Sequence, residues 1–557
     1  MSKIPEDYLP PEDIRPTLVR LVPEVQAYPD RLNVTQELLD RNIEAGRGDR
    51  PAVLFQDRTV TYAALQSQVN RLGNVLASRG VGEDDRVVIL SPNQPLSVAA
   101  NLAIIKIGAI PVPASPLLSP PELTWVVNNS EAAALLVHPA MLPLVAKTKG
   151  DFDHEVATLA IAPPSDELSQ AGVESVVPLM EQADGQLEPV LRDRDAVGVL
   201  LYTSGTTGKP KGVVHFVEEF LAIADTFGKE GWKLREDDIL FSPAPLAFAA
   251  GYGAMAVIPF RFGAAVSLMP RFEPEAAFDT IQQHKATVLT ILPTSYRKML
   301  QVPEAEKKYD LSSVRMCTGG GEALTAETYH RWQDRFGLEI FEGLGTTEMF
   351  YVFVTNAVTE KAKPGSIGTG VPGYEVKVVD EEGNEVGPGD IGKLVARGPT
   401  GTMYWRPNEE GGRLMDSQRH AVVGEGWNLA GDYVQFDEDG YLWFVSREDD
   451  LIKSSGYRIG PDEIEVVIAK HPAVADVGVI GVPDPVRGQN TKAVVVVKEG
   501  TPATDALKQE IIDFCRDKIA VYKLPREVEF VDELPRTVTG KLLRRVLRGK
   551  EQEARSQ

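Results

Sequence analysis

The residues best suited to chemistry lie in one short polar stretch that follows an apolar segment. Residues 196–201 are apolar and predict a buried strand. The strand leads into residues 201–212, which read Leu-Tyr-Thr-Ser-Gly-Thr-Thr-Gly-Lys-Pro-Lys-Gly. Glycines in such a loop can turn successive backbone N–H groups toward one anion, and Lys209 and Lys211 add positive charge. The stretch therefore predicts a loop that wraps a polyphosphate, with a solvated surface turn as the alternative.

This loop differs from the common P-loop. A P-loop has a glycine, four residues and then Gly-Lys-Ser/Thr at the start of a helix. Here Lys209 precedes Pro210, and Thr203 occupies the position of the first glycine. We therefore expect a loop that clamps ATP with an arrangement of residues different from that of the P-loop.

The elements that must position this loop follow an α/β pattern. Between residues 51 and 292, apolar strands alternate with helical segments, among them the amphipathic residues 62–79. After Ser366 the strands are separated by Gly, Asp and Pro turns, which indicates an antiparallel β module. A smaller α+β unit follows the charged run 447–450, and residues 544–557 are expected to fray.

Composition excludes several classes of protein. A chain of 557 residues is too long for one hydrophobic core, and its net charge of −22 argues against nucleic-acid binding. The two cysteines, Cys317 and Cys515, are far apart, which suits a reducing compartment and not a disulfide framework. The sequence predicts no signal peptide and no transmembrane helix, hence a cytoplasmic protein without membrane insertion. Its oligomeric state, monomer or homodimer, stays open.

Further motifs follow the loop along the chain. They are Cys-Thr-Gly-Gly-Gly-Glu-Ala-Leu at 317–324, Gly-Leu-Gly-Thr-Thr-Glu at 343–348, Gly-Trp-Asn-Leu-Ala-Gly-Asp at 426–432, the run 447–459 and Leu-Pro-Arg-Thr-Val-Thr-Gly-Lys at 534–541. In this order they resemble the motifs of the adenylate-forming superfamily of acyl-CoA synthetases, luciferases and nonribosomal adenylation domains, over essentially the whole chain. Residues 28–33 and 242–248 are similar to those of benzoate- and 2-aminobenzoate-type aryl-CoA ligases.

The resemblance implies a fold and a reaction. The fold has a large N-terminal domain, residues 1–447, of two α/β subdomains plus a β-barrel-like module, and a small mobile α+β C-terminal domain, residues 448–557. The reaction uses ATP and Mg²⁺ to convert a carboxylic acid, here an aromatic one, into an acyl-adenylate. Coenzyme A then takes the acyl group and AMP leaves. The protein must hold two anions together and neutralise the growing charge.

The resemblance also assigns candidate catalytic residues. Lys541 would bring a positive charge to the reacting carboxylate, although a basic C-terminal surface is the alternative. Glu348 would be the metal ligand, because carboxylate oxygens suit Mg²⁺. Thr347 would donate to the α-phosphate.

Candidate nucleotide-binding and coenzyme A-binding residues come from every motif. The polyphosphate would be held by Thr203, Ser204, Gly205, Thr206, Thr207 and Lys211, with Lys209 nearby. The adenine would lie along Gly321, Glu322 and Ala323 with Glu342 at its amino edge, and the ribose against Asp432 and Arg447. The remaining candidates are Gly456, Arg458 and Arg516 for coenzyme A. The glycines at 319–321 would equally suit a tight turn, and an Asp after Gly is often only turn chemistry.

Asp449 is the expected hinge, because a short polar link can absorb a large dihedral change. The acid pocket is expected to include Phe248, Gly251, Leu344 and Tyr351. Two residues depart from the benzoate type: Ala250 replaces an aromatic residue and Tyr351 a histidine. These departures leave the identity of the acid open. His215, after the loop, is expected to be structural or at the pocket edge.

Three alternatives remain at this point. A carrier protein could supply the thiol, or the acceptor thiol could be absent as in luciferases. The same pocket could hold a medium-chain fatty acid. The chain could also be a non-catalytic nucleotide-binding regulator, although the presence of Lys541, Glu348 and Asp432 argues against it.

Overall fold

The computed structural model describes residues 4–203, 209–322, 324–359, 362–409, 413–454, 457–516, 518–536 and 542–556. The chain divides into two compact units. Unit 1 comprises residues 1–364, 368–376 and 396–428, and unit 2 comprises residues 365–367, 377–395 and 429–557.

A nine-stranded, mostly parallel sheet forms the centre of unit 1. Its strands, in spatial order, are Thr369–Gly370, Val352–Thr355, Ile340–Gly345, Met316–Gly320, Val288–Thr290, Ile239–Ser242, Ala265–Leu268, Pro51–Phe55 and Arg58–Thr61. The six central strands are parallel, and antiparallel strands lie at both edges. The carboxyl ends of the parallel strands therefore share one edge, where ligands bind in sheets of this kind.

A second sheet of unit 1 has five parallel strands. They are, in spatial order, Ile110–Ala114, Arg86–Leu90, Ala132–Val137, Ala157–Ala160 and Glu174–Ser175. Two short ladders complete the pairing: Arg31–Leu32 with Arg192–Asp193, and Val197–Thr203 with Lys211–Phe216. The two α/β layers confirm the predicted fold class of the large domain.

The helices of unit 1 cover the two sheets. Their bounds are Pro23–Gln26, Arg41–Glu44, Tyr62–Ser78, Pro95–Lys106, Pro120–Ser130, Leu142–Thr148, Asp166–Ala171, Val176–Gln182, Val217–Ile223, Ala249–Tyr252, Ile258–Arg261, Pro274–His284, Pro293–Met299, Ala305–Lys308, Ala326–Phe336 and Arg413–Ala421. Wider π-helical turns occupy Gln36–Asp40, Ala224–Gly231 and Gly253–Val257. In the part of the chain that the structure describes, no helix combines the length and the apolar character needed to cross a membrane.

The predicted barrel-like module is an open sheet. Its strands are Glu375–Val379, Ile391–Arg397, Trp427–Phe436, Val422–Gly424 and Leu442–Arg447. Within the described residues the first and last strands do not pair. The long strand Trp427–Phe436 pairs with Val422–Gly424 near its start and with Leu442–Arg447 nearer its end. The division between the two units falls within three of these strands.

Unit 2 also contains an α+β body with its own core. Its sheet consists of Tyr457–Ile459, Ile452–Ser454, Gly488–Val497, Val474–Asp484 and Glu527–Phe530, with helices Pro461–Ile468, Asp505–Cys515 and Arg544–Ser556. The last helix corrects the expectation that residues 544–557 fray. Leu547 is buried in an apolar cluster with Ile480 and Val482, and Glu551 pairs with Lys492, so apolar contacts and an ion pair hold this polar segment.

Both cysteines are buried. Cys317 lies in the core of unit 1 and Cys515 in the core of unit 2, and neither side chain is accessible to solvent. Burial raises the pKa of the Cys317 thiol to about 12 and also raises that of Cys515.

Candidate active site

The predicted polyphosphate loop joins the two strands of an antiparallel hairpin. Thr203 at the end of one strand pairs with Lys211 at the start of the next. Trp125 holds the outgoing side: its Nε1 donates to the carbonyl oxygen of Pro210 at 2.9 Å, and Nζ of Lys209 lies 4.1 Å from the ring centre. Ser204, Gly205, Thr206 and Thr207 lie outside the described residues. The two ends of the loop therefore start from a fixed base.

Tyr404 connects this hairpin to the predicted metal ligand. The segment around Tyr404 runs beside the hairpin, with the N–H of Val214 donating to the carbonyl of Met403 at 2.8 Å. Nζ of Lys211 lies 5.7 Å from the centre of the Tyr404 ring. The Tyr404 hydroxyl donates to Oε1 of Glu348 at 3.1 Å. The Tyr404 phenol thus contacts the Glu348 carboxylate and lies near the ammonium group of Lys211.

Thr347 and Glu348 lie in a tight turn after the strand Ile340–Gly345. The N–H of Met349 donates to Oγ1 of Thr346 at 3.1 Å, and the N–H of Phe350 to the carbonyl of Thr347 at 3.0 Å. Phe350 has a positive φ of 66° and is completely buried. A bulky residue in this region costs on the order of 1–3 kcal/mol and persists only where its surroundings fix it.

Two side chains from other segments hold the turn through hydrogen bonds to its carbonyl groups. The Thr400 hydroxyl donates to the carbonyl of Met349 at 3.0 Å. Nε2 of His215 donates to the carbonyl of Thr347 at 2.8 Å, and its ring stacks on Phe350 with the centres 4.1 Å apart. Burial lowers the pKa of His215 to about 3, so the ring is neutral.

The donor set around Glu348 fits a magnesium ion that is shared with phosphates. Mg²⁺ keeps several waters and needs one or two carboxylates besides the substrate oxygens. Glu348 is half-buried and offers a carboxylate whose Oε1 is oriented by Tyr404. No cluster of three or more His, Cys, Asp or Glu side chains that could hold a metal occurs among the described residues.

The predicted adenine residues lie at the carboxyl ends of two adjacent parallel strands. Gly321 follows the strand Met316–Gly320 with φ 79°, a conformation that favours glycine. Glu342 lies on the neighbouring strand, opposite Gly319. Glu322 accepts hydrogen bonds from Thr294 and, at 3.3 Å, from Arg297. Ala323 lies outside the described residues.

Glu342 is a buried carboxyl with one satisfied oxygen. Its Oε1 accepts the N–H of Leu324 at 2.7 Å, whereas its buried Oε2 has no hydrogen-bond partner among the described residues. Burial raises the pKa of Glu342 to about 8, so the group is mainly neutral at pH 7. A buried oxygen without a partner is the kind of atom that a ligand completes.

In unit 2, the predicted ribose residues face each other on paired strands. Asp432 is opposite Arg447, and Oδ1 of Asp432 lies 3.0 Å from Nη1 of Arg447. Asp449 follows and is exposed. Its neighbour Asp450 accepts from Arg548 at 2.7 Å and from Arg544 at 3.3 Å. The proposed hinge position is therefore next to a residue that is bound to the C-terminal helix.

The predicted coenzyme A residues have partners within unit 2. Arg458 donates to the carbonyl of Ile391 at 3.1 Å and lies 3.3 Å from Oε1 of Glu381. The exposed Arg516 pairs with Asp513 at 2.7 Å. Gly456 and Lys541 lie outside the described residues. Their assigned roles stay predictions.

The predicted acid pocket combines a helix and a strand. Phe248 precedes the helix Ala249–Tyr252, and Gly251 is required there because a Cβ would meet the carbonyl oxygen of Pro245 at 2.1 Å. Leu344 lies nearly buried on the strand Ile340–Gly345. Tyr351 is buried, and a Cβ on Gly253 would lie 2.4 Å from its Cδ2.

An aromatic cluster surrounds Tyr351. Its ring centre lies 5.4 Å from that of Phe227 and 5.6 Å from that of Trp232. Nε1 of Trp232 donates to Oγ1 of Thr318 at 3.2 Å. The tyrosine at the position of the expected histidine thus packs within a cluster of aromatic rings.

Sequence reasoning missed several residues of this site. Tyr404 and Thr400 belong to no recognised motif, and their contacts with the turn join positions about 50 residues apart. His215 was named in advance as structural or at the pocket edge, and it is buried with its ring bonded to the turn, but its particular partners were not predicted. Its four-residue spacing from Glu219 on one segment was the available signal, since Nδ1 of His215 lies 2.6 Å from Oε2 of Glu219.

Comparison with known proteins decides the family. The model of the AMP-binding enzyme family matches residues 39–405, and that of its C-terminal domain matches residues 463–541. The chain belongs to the AMP-binding enzyme family. The predicted boundary between Arg447 and residue 448 lies between the two matched regions of this AMP-binding enzyme and stays a prediction.

Relatives of this AMP-binding enzyme include ligases of several acids. A benzoate–CoA ligase of Thauera aromatica is 33% identical, over 93% of this chain and 96% of the relative. An acetyl-coenzyme A synthetase of Bacillus subtilis is 35% identical, over 93% and 90%. The crystal structure of the anthranilate CoA ligase AuaEII in complex with anthranoyl-AMP matches with a TM-score of 0.86 and 33% identity, covering 96% of this chain and 100% of that one. These relatives confirm the predicted class, an AMP-forming acid–CoA ligase.

Proposed function

We propose that this AMP-binding enzyme activates an aromatic carboxylic acid with ATP and transfers it to coenzyme A. The observation that carries the choice of acid is the similarity, along nearly the whole chain, to a benzoate–CoA ligase and to an anthranilate CoA ligase. The buried rings of Phe227, Trp232 and Tyr351 support it, because aromatic side chains favour flat apolar ligands.

The proposal gives the site residues the roles that the family resemblance implies. Thr203, Lys211 and the loop between them would hold the β- and γ-phosphates. Glu348 would hold Mg²⁺, which when bound would neutralise phosphate charge. Oε2 of Glu342 would form a hydrogen bond with the adenine. Tyr404 would keep the Glu348 carboxylate oriented toward the phosphates.

Residues of unit 2 would complete the two half-reactions. Asp432 would accept the ribose hydroxyls, and Lys541 would neutralise the carboxylate as it attacks the α-phosphorus. Rotation about Asp449 would then exchange Lys541 for the segment containing Gly456 and Arg458, past which the thiol arm of coenzyme A would enter. Location in the cytoplasm belongs to this proposal.

An aliphatic acid is the second candidate, because the acetyl-coenzyme A synthetase is 35% identical to this chain. Pyrophosphate release with benzoate, 2-aminobenzoate, hydroxybenzoates, acetate and octanoate, each with and without coenzyme A, separates the two. We expect the largest kcat/KM with a benzoate-type acid and thioester only with coenzyme A. A larger kcat/KM for acetate or octanoate would overturn the aromatic assignment.

A further inference from the structure

A second set of contacts behind the Thr347–Glu348 turn has no role in the reaction described above. The turn depends on Phe350, whose φ of 66° is unfavourable for a residue with a large side chain. The ring of Phe350 is enclosed by His215, stacked at 4.1 Å with an interplanar angle of 7°, and by Phe220, whose ring centre lies 5.2 Å away. The imidazole is therefore part of what keeps Phe350 in this conformation.

The hydrogen bonds of His215 fix the direction of its ring. A carbonyl oxygen can only accept, so Nε2 carries the proton that is donated to Thr347. Nδ1 then accepts from Glu219, whose carboxyl is completely buried and supplies the proton. Both side chains are inaccessible to solvent. The pair is thus a rigid support between the strand Lys211–Phe216 and the turn.

We propose that His215 is a positioning residue that orients Glu348 toward magnesium by holding the carbonyl of Thr347 and the ring of Phe350. The inference rests on the proposed function, because it assigns the metal to Glu348. His215 starts from the strand that leaves the polyphosphate loop, so the same side chain ties the position of the loop to that of the metal ligand. Fixing the peptide between Thr347 and Glu348 limits the directions that the carboxylate can take.

The chain offers a matched control in His284. This histidine is also buried, with Nδ1 2.7 Å from Oγ of Ser267 and Nε2 2.7 Å from the carbonyl oxygen of Gln56. It makes the same two kinds of contact at a place that has no proposed role. The His284→Asn variant therefore measures the effect on folding of losing a buried contact between a histidine and a carbonyl group.

The test compares His215→Asn, His215→Gln and His284→Asn in the full-length protein. An asparagine amide reaches the position of Nδ1 but is too short for the distant carbonyl, whereas a glutamine amide reaches toward Nε2. The first measurement is the binding of a non-hydrolysable ATP analogue by calorimetry over a series of Mg²⁺ concentrations. The second is the KM and kcat of pyrophosphate release, and thermal unfolding checks the fold of each variant.

We expect His215→Asn to raise the half-saturating Mg²⁺ concentration about 10-fold, as removal of a group behind a metal ligand does. His215→Gln should recover most of the loss, and His284→Asn should leave Mg²⁺ dependence unchanged. Equal Mg²⁺ dependence in wild type and both His215 variants would overturn the inference, and so would an equal change in His284→Asn. If His215→Asn does not fold, Phe350→Leu, which removes the ring on which His215 stacks, takes its place: a raised half-saturating Mg²⁺ concentration supports the inference and a wild-type value overturns it. Failure of wild type to release pyrophosphate with any acid would instead refute the proposed function, since analogue binding is measured separately.

Discussion

Oδ1 of Asp432 lies 3.0 Å from Nη1 of Arg447, and the two residues are paired across neighbouring strands. The aspartate side chain is 3% exposed and the arginine side chain 52% exposed. A buried carboxylate is thus held in one orientation by a cation that remains in contact with water. Under the proposed function this acceptor would bind the two ribose hydroxyl groups.

Asp432→Asn should therefore weaken ATP binding about 10-fold, because an amide accepts with only one of its two polar atoms. Wild type should prefer ATP to 2′-deoxy-ATP, and the variant should lose most of this preference. Calorimetry with both nucleotides measures the effect. Asp439→Asn, in an exposed turn of the same hairpin, is the control, and an unchanged preference in Asp432→Asn would refute the ribose assignment.

Glu342 predicts a pH dependence of stability. Its pKa in the folded protein is about 8, above the usual 4.5, so the unfolded chain loses this proton first as pH rises. The neutral carboxyl makes its full contribution to the free energy of unfolding below about pH 4.5. Its contribution then falls by up to about 1.4 kcal/mol per pH unit until pH 8 and is constant above it.

Glu342→Gln keeps the acceptor for Leu324 and carries no charge. The difference in the free energy of unfolding between the variant and wild type should grow in favour of the variant from pH 5 to 8 and level off above pH 8. Urea unfolding at a series of pH values measures it. A difference that is independent of pH would show that Glu342 is ionised in the folded protein.

Gly253 and Tyr351 give a prediction about the acid pocket. A methyl group at position 253 would lie 2.4 Å from Cδ2 of Tyr351, so the ring must shift. Gly253→Ala should lower kcat/KM for the preferred acid about 10-fold, because small displacements of a bound reactant slow the reaction. The KM for ATP should not change.

The double variant Gly253→Ala, Tyr351→Ala should relieve this clash and admit a bulkier acid. Gly150→Ala is the control, since nothing lies within 4 Å of a Cβ there. Steady-state kinetics with a series of substituted acids measures the change. An equal effect of Gly253→Ala on the acid and on ATP would place Tyr351 outside the pocket.

Lys541→Ala should reduce adenylate formation by roughly 100- to 1,000-fold, the usual loss when one group that neutralises developing charge is removed. Conversion of a supplied acyl-adenylate to thioester should continue at the wild-type rate. Rapid-quench measurements of the two half-reactions test this, with Lys550→Ala as the control. Parallel loss of both half-reactions would contradict the role assigned to this lysine.

Much of the fold could be predicted from the sequence because local patterns of apolar residues indicate its helices and strands. The helix Tyr62–Ser78 and the strand Arg86–Leu90 were expected from their apolar spacing, and the motif order predicted the family. The expectation that residues 544–557 fray was wrong, since the helix Arg544–Ser556 is held by ion pairs with distant residues such as Lys492. A periodic pattern of apolar residues gives no indication of such ion pairs.

The site was predictable only where a motif names the residue. Glu348 and Asp432 follow from motifs, but the bond from Tyr404 to Glu348 depends on a segment laid beside the hairpin by tertiary folding. The same holds for Thr400 and its contact with Met349. Side chains that support a turn from outside leave no local pattern, because any donor of the right reach can serve.

The burial of Cys317 and Cys515 has a practical consequence for assays of this enzyme. Reaction with disulfide dyes requires an accessible thiolate, and both protein thiols are inaccessible and have raised pKa values. In a native sample the thiol of coenzyme A is therefore the species that a chromogenic thiol reagent titrates rapidly. Consumption of coenzyme A can be followed directly by that reagent, and slow additional labelling of two thiols per chain would report unfolding.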